Sequence, residues 1–174
     1  MQAAQLLELI KTRRSVRKFT DQPVDQTLID DILEAGRWAP SGQNNQAWRF
    51  LVIRDPSLKE QIARCTKYGA VVKGAVVLIS VFIHRPSMYH EAKDHQAIGA
   101  CLMNMLLMIY AQGLGAVWLG EILAHADQVR QILGLGPELE LELMAVVALG
   151  WPAAAGNQKS QRKPLGELVL AGGK

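Results

Sequence analysis

The sequence predicts a single domain of mixed helix and strand, and three observations carry the prediction. Its 174 residues, 49% hydrophobic and 20% charged, are enough for one substantial core and short for two, so residues 1–174 are taken as one domain. Apolar residues recur at helical spacing in several segments. Between those segments lie continuous apolar runs bounded by turn residues, the pattern of strands buried on both faces.

The elements follow in order. Leu6, Leu7, Leu9 and Ile10 give a short first helix that stops where a basic run, Arg13 to Phe19, begins. Asp25 is a plausible N-cap for a second helix carrying Leu28, Ile29, Ile32, Leu33 and Ala35, closed near Gly36 to Pro40. A turn-rich loop, Ala39 to Trp48, empties into a strand over Trp48 to Arg54. Pro56 and Ser57 open a third helix running to about Tyr68, and Ala75 to Ile83 reads as a buried strand. After a polar connection, the longest helix runs from about Asp94 to Gln112, apolar on more than one face, with Gly113 as its natural stop. A glycine-rich stretch enters a short strand around Trp118, Ala126 to Leu133 forms another helix closed by Gly134, and Leu141 to Leu149 is the last strand.

Composition excludes several functions. The net charge of +3 and pI near 9.0 are a mild basic excess that favours small anionic ligands over nucleic acid, where a broad basic and aromatic stripe is expected. Cys65 and Cys101 lie far apart within apolar helical patterns and read as buried free thiols in a reducing, cytoplasmic setting. The N-terminus has the wrong charge order for a signal peptide, and the most apolar run, Ala97 to Ala111, is interrupted by Asn104 and too short to span a bilayer. His84, His90 and His95 are spaced too irregularly to build a metal site.

Two stretches are candidates for binding. Arg13, Arg14, Arg17 and Lys18 surround Ser15, a density of cations that suits an anion such as phosphate and equally describes a solvated charged turn. A second cationic cluster, Lys159, Arg162 and Lys163, lies almost at the far end. The loop APSGQNNQAW is longer than a helix-to-strand connection needs, which points to function, with a solvated turn as the other reading. Gly113 to Gly120 contains GxGxxxxG, not the dinucleotide GxGxxG, and no helix opens after it. With no GxSxG elbow, P-loop or paired metal-binding histidines, the chemistry is expected to reside in a bound cofactor.

Four blocks in order, RRSVRKF, APSGQNNQAWRFLVI, KDHQAIGACLMNMLLMIYAQGLGAVWLGEI and RKPLGEL, resemble the nitroreductase family of FMN oxidoreductases in its short form, over nearly the whole chain. The resemblance implies an α+β fold, a mixed, largely antiparallel sheet flanked by helices, in an intertwined homodimer with flavin sites at the interface. It implies that Arg13, Arg14, Ser15 and Arg17 hold the FMN phosphate and ribityl chain, with Arg162 and Lys163 completing the phosphate clamp. It implies that Pro40, Ser41, Gly42 and Asn44 reach the flavin from the partner subunit, and that Leu119, Gly120 and Glu121 lie against the ring near N5. One departure is Ala47, where the family carries proline, which should loosen the start of the strand without removing a ligand.

The implied activity is ping-pong transfer of hydride from NADH or NADPH, through flavin N5, to a small electron-poor acceptor such as a nitroaromatic or quinone, with no protein acid or base assigned. Enone reduction, reductive dehalogenation and flavin fragmentation are other chemistries of the fold. A non-enzymatic flavin carrier or sensor is the alternative of a different class.

Overall fold

Strand β1 spans Trp48–Ile53, β2 Val77–His84, β3 Gly115–Leu119 and β4 Leu141–Gly150, in a computed structural model that describes residues 2–154 and 161–170. They form a four-stranded sheet in the order β1-β2-β4-β3 in which every neighbouring pair is antiparallel. A parallel contact comes from outside the named strands, where Ser15 bridges Ala116. The helices are α1, Ala3–Thr12; α2, Gln26–Arg37; α3, Pro56–Ala63; α4, Gly69–Gly74; α5, Glu91–Ala111; and α6, Ala126–Ile132. This is the α+β arrangement expected from the sequence.

Both faces of the sheet are covered, which is why β2 is apolar at nearly every position. Val77, Ile79, Val81 and Ile83 pack towards α2 and α5, against Ile29, Ile32, Leu102 and Met105. Leu78 and Phe82 point the other way, towards Ile62 of α3 and Val129 of α6. Alternate side chains of a strand serve opposite faces, so a strand sandwiched in this way has no solvent face left to mark with polar residues. On β4, the register steps from Ala145 to Leu143 while β2 advances one residue, leaving Met144 as a bulge. The extra residue carries Leu143 to the same face as Val146 and Ala148.

Local chemistry sets the helix ends. Asp55 caps α3 by accepting hydrogen bonds from the backbone N–H groups of Ser57 (2.6 Å) and Leu58 (3.0 Å). Asp25 occupies the N-cap position of α2, as expected, yet its side chain makes no capping bond. Gly113 follows α5 at φ +80° and Gly134 follows α6 at φ +68°, left-handed positions that glycine adopts without strain.

Two boundaries differ from expectation. The helix expected from Pro56 to Tyr68 ends at Ala63, and the chain turns into α4. The Ala63 carbonyl lies where a Gly69 side chain would be, so the turn needs glycine at that position, a requirement that hydrophobic periodicity does not report. Helix α5 begins at Glu91, three residues earlier than expected, because Asp94 lies inside the first turn and reaches back to accept from the backbone N–H groups of Tyr89 and His90 ahead of it. Cys65 and Cys101 are free and fully buried; burial raises both thiols, Cys101 to about 12.

Candidate functional site

The basic run forms an extended segment along the edge of β3 instead of a surface turn. Val16 N donates to Ala116 O (2.9 Å), Thr20 N to Trp151 O (2.8 Å) and Ala153 N to Lys18 O (3.0 Å). The approach is close because Gly115 faces Val16, whose Cβ would lie 2.7 Å from a Cβ at position 115. Arg13 is the C-cap of α1, and its N–H donates to Leu9 O. Arg14 Nη1 folds back to donate to Lys11 O (2.6 Å) and Arg13 O (2.9 Å). The run is thus anchored by isolated bridges on one side and as a helix terminus on the other.

That anchoring opens a groove of about 500 Å³ lined by Ile10, Lys11, Arg13, Arg14, Met103 and Arg162. Arg13 and Arg162 come from nearly opposite ends of the sequence. Partial burial is the main influence pushing the Arg13 pKa below the ordinary arginine value, and the neighbouring charges of Arg14 and Arg162 push it the same way. An anion placed there would relieve this crowding. Ser15 is half-buried against β3, whereas Arg17 and Lys163 are exposed and do not line the groove. Lys159 lies outside the described residues.

Leu119, Gly120 and Glu121 end β3 and begin a short 3-10 turn, Glu121–His125. Leu119 is buried, Gly120 is exposed beside the half-exposed Trp118, and Glu121 Oε2 accepts from Thr66 Oγ1 at 2.6 Å. That bond, followed by the Lys67 backbone N–H and the charges of Lys67 and His125, lowers the Glu121 pKa despite some opposing desolvation. This segment follows Ala116, the bridge partner of Ser15, along the same strand. At about 3.3 Å per residue the separation from Ala116 to Leu119 is roughly 10 Å.

The loop before β1 is on the other edge of the sheet. Pro40 and Asn44 are exposed, Ser41 and Gly42 partly so, and Gly42–Asn44 forms a 3-10 turn. Gln43, Asn44 and Gln46 have φ of 54°, 56° and 47°, a left-handed course for residues with side chains. Ser41 Oγ accepts from Gln46 N (3.1 Å), and the Tyr89 ring lies over Gly42. Sequence reading missed Asn45, Asp94 and Tyr89, which hold this loop; a lone acid near the start of an apolar helix was the available signal. Since β1 and β3 are the two edges of a four-stranded sheet, one chain does not bring the loop to the arginine groove. Among the described residues, no three His, Cys, Asp or Glu side chains are grouped as a metal site requires.

Comparison with known proteins gives a consistent result. A family model described as Nitroreductase family matches residues 10–76 and 63–151. A protein of Methanothermobacter thermautotrophicus, provisionally named NADH dehydrogenase/NAD(P)H nitroreductase, is 36% identical over 150 residues, covering 85% of this chain and 78% of that protein. The solved structure of a protein from Desulfovibrio desulfuricans, described as a nitroreductase in complex with FMN, superposes with a TM-score of 0.90 at 50% identity, covering 95% of each chain. The NADPH:FMN oxidoreductase of Vibrio harveyi, solved with NAD+, gives a TM-score of 0.85 at 25% identity, covering 95% of this chain and 76% of that one.

Proposed function

The chain belongs to the nitroreductase family, and from that premise we propose that it is an oxidoreductase that binds FMN and takes its electrons from NADH or NADPH. The observation that carries this reading is the convergence of Arg13, Arg14 and Arg162 on one groove. A flavin phosphate carries between one and two negative charges at neutral pH, and charge-assisted hydrogen bonds from guanidinium groups are among the stronger polar contacts available to it. The residues present therefore fit the cofactor.

Arg13, Arg14 and Arg162 would hold the phosphate, with Ser15 close by on the β3 edge. Leu119, Gly120 and Glu121, further along that strand, would face the ring system, where the exposed backbone of Gly120 leaves room for a flat group to approach. Thr66 holds the Glu121 carboxylate in place and so steadies the turn carrying these backbone groups. Pro40, Ser41, Gly42 and Asn44 would close the site from a second copy of the chain, because their own groove lies across the sheet. Bound FMN would supply hydride acceptance at N5 and its return, in a separate half-reaction, to a nitroaromatic or quinone acceptor. Arg17 and Lys163, exposed at the groove's margins in sequence, would add to its positive field without lining it.

The test is the visible spectrum of the purified protein, with mass analysis of what heat releases. The expected result is an FMN spectrum that NADH or NADPH bleaches anaerobically, and parallel double-reciprocal plots with a nitroaromatic or quinone acceptor. A colourless protein that takes up no FMN would overturn the reading, and bound FMN that neither nucleotide can reduce would turn it towards a flavin carrier.

A further inference from the structure

Asp94 is a carboxylate with 1% of its surface exposed, set in the first turn of α5. Its Oδ2 accepts from Tyr89 N (3.0 Å) and His90 N (2.8 Å), which are the two backbone donors just ahead of the helix. Those two bonds are a helix cap. Its other oxygen, Oδ1, has no part in the cap and accepts from Asn45 Nδ2 at 2.6 Å.

Asn45 reaches two acceptors at once, since the same Nδ2 donates to Ser87 O at 2.9 Å. Its Oδ1 is buried without a hydrogen-bond partner among the described residues. Turning the amide over would aim that oxygen at two acceptors, so Asp94 and Ser87 fix which way it points. One side chain thereby joins three segments: the Ser41–Gln46 loop, the connection after β2 and the start of α5. The residues flanking Asn45 are those in left-handed backbone, Gln43, Asn44 and Gln46. Such conformations persist only where the surroundings over-determine them.

We infer that Asp94 is a positioning residue that acts through Asn45 to hold Ser41, Gly42 and Asn44 in the course that meets FMN. The inference rests on the flavin reading given above. Burial on its own raises the Asp94 pKa, but the hydrogen bonds from His90, Asn45 and Tyr89 outweigh it and the net shift is downward, so the acceptor facing Asn45 is charged at neutral pH. A charged acceptor makes the stronger bond, and the donor that satisfies this second oxygen comes from the loop and not from the helix.

The experiment uses full-length apoprotein as wild type, Asn45→Ala, Asp94→Asn and the double variant. FMN is titrated by quenching of its fluorescence, and amide exchange at residues 44–46 is followed without flavin. Each single substitution is expected to weaken FMN binding about tenfold, the double no more than the worse single, and exchange at residues 44–46 to accelerate in all three. Asn45→Ala keeps the bonds from Tyr89 N and His90 N but leaves the buried Asp94 Oδ1 without its partner, so its melting temperature should fall by a few degrees with the chain still folded. Asn45→Ala with wild-type FMN affinity and wild-type exchange overturns the assignment and reduces Asp94 to a cap. A wild type that binds no FMN overturns the functional reading, and the flavin role of the loop with it, while accelerated exchange would still show that the pair holds the loop.

Discussion

Three guanidinium groups around one groove repel one another, and arginine cannot escape the repulsion by losing its proton at any ordinary pH. The lowered Arg13 pKa shows burial and the charges of Arg14 and Arg162 acting in the same direction. Such an arrangement favours an anion that accepts from more than one of the three. Arg13→Ala or Arg14→Ala should therefore weaken FMN binding by roughly 10- to 100-fold, the worth of one or two charge-assisted hydrogen bonds. Wild-type affinity should also fall as salt rises, because the site is only partly buried and its field is screened. Fluorescence titration of FMN into apoprotein at low and high salt measures both effects. Full affinity in both variants would remove the phosphate role from this run.

At the scale of elements, the basic run depends on β3 for its position. Gly115 allows Val16 to lie against the strand, and Val16 is β-branched, with a Cβ that cannot swing aside. Gly115→Ala should push the segment from Ser15 to Val16 off the edge, costing about 1–3 kcal/mol of stability by overpacking and weakening FMN binding through displaced arginines. Denaturant unfolding and flavin titration together check this; lowered stability with unchanged affinity would show that the arginines do not rely on the bridge. Elements of this kind also mark the limit of what the chain discloses. The strands at Trp48, Val77 and Leu141 were legible because long apolar runs have few other uses, and helix stops were legible at Gly113 and Gly134 because left-handed backbone favours glycine. The basic run was legible as a candidate anion site; its extended course beside β3 was not, since the bridge is made by Ala116, about a hundred residues away. The Met144 bulge and the Asn45–Asp94 bond were hidden for the same reason: each is fixed by a neighbour distant in sequence or across a strand.

For the whole molecule, the two halves of the candidate site lie on opposite sheet edges, and the helices α1, α2 and α5 expose apolar side chains. Leu6, Leu7 and Ile10 of α1 are 43–51% exposed and Trp38 at the end of α2 is 73% exposed. Leu6, Trp38, Leu107 and Met108 line a groove of about 320 Å³ between these helices and α5. The chain near its C-terminus adds Leu165, Leu168, Val169 and Leu170, each more than 60% exposed. Exposed apolar side chains of this number are a liability on a monomer and an asset in a two-fold dimer, where one patch meets its copy. Light scattering should therefore give about twice the chain mass of 19.1 kDa. Replacing both Leu7 and Trp38 with glutamate should shift the protein towards monomer by burying unpaired charge at the interface. If the Ser41–Asn44 loop of one copy completes the arginine groove of the other, FMN affinity must fall in step with the fraction of dimer as protein concentration is lowered. A monomeric variant that keeps wild-type FMN affinity would mean that each chain binds flavin alone, and that the loop across the sheet has some other task.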